Sequence, residues 1–195
     1  MTREHVALDG LGGLSRTHAA GEVTLDLEGT EVVLAGWVQK RRDHGGVIFV
    51  DLRDREGIVQ VVFRPDASPA AHERAGELRS EYVILVRGVV QRRSPETVNP
   101  KLPTGEIEVE VEELRLLNRA TPPPFAIEEE IEADEATRLR YRLHDLRRPP
   151  LQRALRLRDR AYQSVRRTFS RLGFIDRDEF MRTVEYLVLF LTVNR

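Results

Sequence analysis

Between Val32 and Asn118 the apolar residues recur at a short, strand-like period. Val32–Val38 predicts a first strand, Val47–Leu52 a second and Ile58–Phe63 a third. Tyr82–Val90 predicts a fourth. Ile107–Glu112 predicts a fifth, whose strict alternation places Ile107, Val109 and Val111 on one face. Lys40-Arg41-Arg42 ends the first strand, Asp43–Gly46 turns into the second, and Glu56-Gly57 makes the next turn. Pro69–Arg79 lacks β-branched residues and contains Ala, Glu, Arg and Leu, which suits a helix.

Three strands, a helix and two strands is the order of an all-β OB-fold, a five-stranded Greek-key barrel that often takes oligonucleotides on its strand 2–3 face. Farther along, Leu151, Leu155, Tyr162, Val165, Phe169 and Leu172 recur at three- and four-residue steps and Gly173 follows, predicting an amphipathic helix with a glycine stop. Its other face carries Arg153, Arg156, Arg160, Arg167 and Arg171, which suits either solvent or RNA backbone. Pro122, Pro123 and Pro124, followed by an acidic run from Glu128 to Glu135, read as a linker.

Composition sharpens this division. The formal charge of the 195 residues is only −1. That total conceals two opposed blocks: residues 106–135 hold eleven carboxylates and two arginines, and residues 138–171 hold twelve arginines and two aspartates. With no cysteine, disulfides, thiolate metal sites and cysteine nucleophiles are excluded, and a reducing cytoplasm is the expected compartment. The five histidines show no ligand spacing, so no metal site is expected. The longest apolar run, Leu187–Leu191, is far short of the ~20 residues that span a bilayer.

The candidate chemistry lies on the barrel. Lys40, Arg41, Arg42 and His44 stand near one end of the presumptive binding face, with Phe49 in the second strand and Gln60 in the third. An aromatic ring offers a stacking platform, an amide can bond a base edge in two ways, and guanidinium groups neutralise phosphate. The same residues also suit plainer roles: Phe49 a core position, Gln60 an outward strand position, the cationic triplet a solvated edge, and His44 a turn.

The run from Gly36-Trp37-Val38-Gln39 through Lys40-Arg41-Arg42-Asp43-His44-Gly45-Gly46 to Ile58-Val59-Gln60-Val61 closely resembles the N-terminal domain of bacterial aspartyl-tRNA synthetases. Arg16-Thr17-His18 with Gly21-Glu22 resembles the opening of that family. Thr104–Val109 and Leu117–Ala120 resemble the end of its barrel, and Tyr141-Arg142 with Asp145–Pro149 the entry to its catalytic domain.

The resemblance implies an anticodon-binding OB-fold at 16–120, after an N-terminal extension at 1–15 to which no role is assigned. A linker at 121–137 leads to a mainly α-helical, truncated start of a class II catalytic domain at 138–195. Residues 176–195 of that stretch match nothing in the family. By the same resemblance Phe49 stacks on an anticodon base, Gln60 and Arg42 read the central uracil, and Glu108 contacts the first anticodon base. Arg93 helps hold the loop, and Lys40 and Arg41 face its backbone. Gln91 departs from the family, standing where a cation is frequent. The His44-Gly45 pair resembles enzymes that do not discriminate tRNA-Asp from tRNA-Asn, in contrast to the leucine of discriminating ones.

The implied partner is therefore tRNA, through its anticodon stem-loop, with no membrane. The complete family is a homodimeric ligase using ATP and Mg²⁺. The second and third class II motifs are absent from this sequence, so no catalytic residue and no cofactor is assigned to it, and it is not expected to aminoacylate alone. The alternative is a stand-alone RNA-binding or interaction module.

Overall fold

A computed structural model describes residues 7–174. The expectations for the first six residues and for the tail at 176–195 lie outside the described residues. The chain divides into two compact units between Pro122 and Pro123.

The first unit is a closed five-stranded barrel: β1 (Glu31–His44), β2 (Val47–Arg53), β3 (Ile58–Phe63), β4 (Val83–Arg92) and β5 (Ile107–Asn118), in spatial order β1-β2-β3-β5-β4. Every pairing is antiparallel except β3 with β5, where Val61 faces Val109 and Val62 faces Glu110. Alternate side chains fill the interior. Ile48, Val50 and Leu52 of β2, Val59, Val61 and Phe63 of β3, and Ile107, Val109 and Val111 of β5 are buried with residues of β1 and β4. Closure leaves the barrel no free sheet edges of the kind that template aggregation.

The elements run longer than apolar alternation marks. β1 continues six residues past Val38 because Lys40–His44 pair with Val47–Asp51, after a bulge between Val38 and Lys40. This stretch needs no buried face, since its backbone groups are satisfied across the ladder. β5 continues to Asn118 along β4, with irregularities at Val83/Ile84 and Arg87/Gly88. A Cβ at Gly88 would lie 2.2 Å from the Glu110 carbonyl oxygen, so only glycine permits that strand approach.

The helix α1 (Pro69–Ala75) is shorter than the expected Pro69–Arg79. Ser68 caps it, its hydroxyl accepting from the Ala71 amide at 3.4 Å, and Gly76 ends it. The chain then needs a left-handed residue at Glu81 (φ 65°) to enter β4. There Glu81 receives two hydrogen bonds from Arg53, at 2.8 and 2.9 Å, and both side chains are largely buried.

Residues ahead of β1 lie along the barrel. Asp9 donates its amide to the Leu116 carbonyl (2.8 Å), accepts the Leu116 amide on its carboxylate (2.7 Å), and meets Arg74 of α1 at 2.6 Å. Thr17 and Val33 exchange hydrogen bonds in the same way. Part of the expected N-terminal extension is thus built onto β5 and α1.

The second unit contains α2 (Glu135–Arg140), α3 (Arg142–Asp145) and α4 (Pro149–Arg171). Asp134 caps α2, and prolines open α4, where the missing amide costs nothing. A deeply buried charge cluster there centres on Asp145, whose carboxylate accepts from Arg142 (2.7 Å) and Arg148 (3.1 Å). Arg148 also donates to the carbonyls of Glu128 and Glu129, fastening the acidic segment. The expected long helix with its glycine stop is present, with Gly173 in the left-handed region. Its apolar side is only half covered among the described residues, and Leu155 and Leu157 are exposed. No helix among the described residues is long and apolar enough to cross a membrane.

Candidate nucleic-acid interface

A cleft of about 670 Å³ opens on the barrel where the outer part of the β1–β2 hairpin meets β3 and the start of β5. Strand alternation determines its composition. On β2, Ile48 and Val50 turn inward, which leaves Phe49 half exposed at the cleft rather than in the core. Directly across the ladder from Phe49 stands Arg42. His44 follows two residues on and shares the cleft.

Gln60 is buried, and both ends of its amide are held. Its nitrogen donates to Glu108 at 3.2 Å, and its oxygen accepts from Arg42 at 3.4 Å. Arg42 also meets Asp51 at 2.5 Å. Glu108 binds Arg64 at 3.3 Å and has the Arg93 guanidinium at 3.9 Å. The Arg93 Nε is buried without a hydrogen bond and faces the Glu108 carboxylate only as an ion pair. Four arginines (Arg42, Arg64, Arg92, Arg93) line the cleft against two carboxylates, Asp43 and Glu108. Their surplus favours an anion.

Of the residues singled out from the sequence, the structure brings together Arg42, His44, Phe49, Gln60, Arg93 and Glu108. Lys40 is exposed and does not line the cleft. Arg41 is on the other side of the strand, where its Nε donates to the Ala75 carbonyl at the end of α1 (2.9 Å). Arg64, Arg92, Ser94 and Thr97 complete the lining. Arg64 had a readable signal: it follows Gln60 by four residues, so an extended chain puts both on one face. Ser94 and Thr97 lie in the β4–β5 connection, where no periodicity applies.

A closed OB barrel with an aromatic, amide and arginine cleft on this face defines a nucleic-acid-binding domain, and residues 32–117 match the tRNA anticodon family, an OB-fold nucleic acid binding domain. More particularly, its close homologues are bacterial aspartate–tRNA ligases, whose N-terminal part it matches.

It is 56% identical over 169 residues to the aspartate–tRNA(Asp/Asn) ligase of Desulfosudis oleivorans, covering 87% of this chain and 28% of that protein. It is 58% identical, with the same coverage, to the aspartate–tRNA(Asp/Asn) ligase of Moorella thermoacetica. The chain thus spans about 28% of the length of these curated relatives. Among solved structures, the asparaginyl-tRNA synthetase of Pyrococcus horikoshii in complex with asparaginyl-adenylate superposes with a TM-score of 0.68 at 28% identity, over 83% of this chain and 35% of that one.

Proposed function

We propose that this chain binds the anticodon loop of tRNA as the N-terminal portion of an aspartate–tRNA ligase, the complete enzyme joining aspartate to tRNA-Asp and tRNA-Asn. One observation carries the reading. A single cleft gathers a half-exposed aromatic, an amide whose orientation is set at both ends, and four guanidinium groups. Phe49 stacks on an unstacked base. Gln60 and Arg42 read the central uracil: the amide nitrogen has a second hydrogen for a carbonyl, and the amide oxygen has a second lone pair for the imino proton. Glu108 accepts from the first anticodon base, and Arg93 helps hold the loop. Lys40 approaches the RNA backbone from the rim.

The relatives' match extends beyond the barrel over 87% of the chain, which supports reading residues 138 onward as the start of a class II catalytic domain. Cytoplasmic location, dimerisation and use of ATP and Mg²⁺ are proposed for the complete ligase. Among the described residues no three His, Cys, Asp or Glu side chains are grouped to hold a metal, so no step through ATP or Mg²⁺ is assigned to them.

The test is Phe49→Ala with a GUC anticodon hairpin. Loss of the stacking platform is expected to weaken binding by roughly 1–3 kcal/mol, about five- to 150-fold, with the melting transition of the barrel little changed. Unchanged affinity in a folded variant overturns the reading.

A further inference from the structure

The outer part of the β1–β2 hairpin projects as an arm. Asp43, His44, Gly45 and Gly46 are all exposed, and the tip turns through two left-handed glycines (φ 61° and 81°). One side of this arm carries Arg42, His44 and Phe49 into the cleft. The other side is tied to α1 at two points. Arg41 Nε donates to the Ala75 carbonyl at 2.9 Å, and His72 Nε2 lies 2.7 Å from the Gly46 carbonyl oxygen. A carbonyl only accepts, so Nε2 carries the proton and His72 is the donor. His72 does not line the cleft.

We infer that His72 is a positioning residue for RNA recognition: its hydrogen bond to Gly46 clamps the hairpin tip to α1 and so fixes where His44 and Arg42 meet the loop. This rests on the RNA-binding reading of the cleft. The physical argument is preorganisation. A two-stranded arm with a double-glycine tip has few packing contacts to restrain it, and ordering it on binding would subtract from affinity. A clamp on the side away from the RNA removes that cost without touching the ligand. The glycines cannot supply the restraint themselves, because neither has a side chain. A Cβ at Gly45 or Gly46 would meet nothing within 4 Å.

The experiment compares wild type, His72→Ala, His72→Gln and Phe49→Ala in the full chain. It reads GUC-hairpin affinity, melting temperature, and amide exchange at His44 and Val47 in the free protein. Glutamine places an amide N–H close to where the Nε2–H stands. His72→Ala is expected to speed exchange at the tip and weaken binding about fivefold, the effect of one lost hydrogen bond, at an unchanged melting temperature. His72→Gln is expected to restore both.

Unchanged tip exchange in His72→Ala overturns the inference, whatever the affinity does. So does a lowered melting temperature that glutamine does not repair, since that marks a general structural role. Unchanged affinity beside a loosened tip also overturns it when Phe49→Ala has lost binding. If Phe49→Ala binds as wild type does, the RNA reading falls, and tip exchange alone judges the clamp.

Discussion

Gln60 and Glu108 occupy the register position immediately before the two backbone rungs that join β3 to β5, and their side chains bond there at 3.2 Å. The side-chain contact prolongs the parallel ladder by one step. It also orients the amide, because Arg42 holds the opposite end. Gln60→Ala removes the proposed reader, whose direction is fixed in advance. Discrimination between GUC and GCC hairpins is expected to shrink by about 1–3 kcal/mol, the range for one bidentate base contact. Competition binding of the two hairpins measures it, and an unaltered ratio counts against a central-base role.

His44 sits at the tip of the arm, beside Gly45 and within the cleft. The wild-type chain is expected to bind GUC and GUU hairpins within about tenfold, ~1.4 kcal/mol. His44→Leu is expected to move the ratio toward GUC. Equilibrium titration of both hairpins against both proteins decides the point, and a wild-type preference for GUC above tenfold sinks it.

The Arg53–Glu81 pair concerns stability alone. Both side chains are nearly excluded from water, and Glu81 is held in a left-handed conformation that a non-glycine residue adopts at a cost. Arg53→Met removes both Arg53 hydrogen bonds from a buried carboxylate and is expected to cost about 3–5 kcal/mol. Adding Glu81→Gln to that variant should recover a large part of the loss. Urea unfolding of the two variants provides the comparison, and equal stability of the single and double variants would contradict it.

On the outer surface of β5, a hydrogen bond from Arg115, then one from Arg87, holds the Glu113 carboxyl below the usual carboxylate range, against the opposing effect of desolvation. A carboxyl with a depressed folded-state pKa stabilises the fold fully above its unfolded value, ~4.3. That stability is lost as the pH falls through the folded value. Glu113→Gln should therefore be less stable than wild type at pH 7, by about 0.5–1 kcal/mol. The two proteins should converge as the pH drops below about 4. Denaturant melts at pH 7 and pH 3 test this; a gap that does not narrow in acid would refute the assignment.

The barrel was legible because its core obeys a period of two: Ile107, Val109 and Val111 lie inward as the alternation of β5 requires. The arm was not. Lys40–Asp43 carries no apolar alternation, and its strand character comes wholly from pairing with β2, a tertiary fact. The site was legible through residue type and resemblance, which located Phe49 and Gln60. Only the fold shows that Gln60 is buried and bonded at both ends, because Glu108 arrives from a strand 48 residues away. Arg41 and Arg42 are chemically alike and adjacent, yet one meets α1 and the other the cleft. That division depends on the strand's facing after the bulge at Val38/Lys40. Asp9 gave no signal either, since its partners Leu116 and Arg74 are set by docking of an irregular segment.

The cylinder is joined most narrowly where β3 meets β5, across only two rungs, and the residues proposed to grip a nucleobase stand at the mouth of that join. On the proposed reading, a base lodged between them would act as a rivet. Breathing of the barrel and release of the ligand then become one motion, so whatever loosens the seam, heat or a poorly matched nucleotide, loosens the other in proportion.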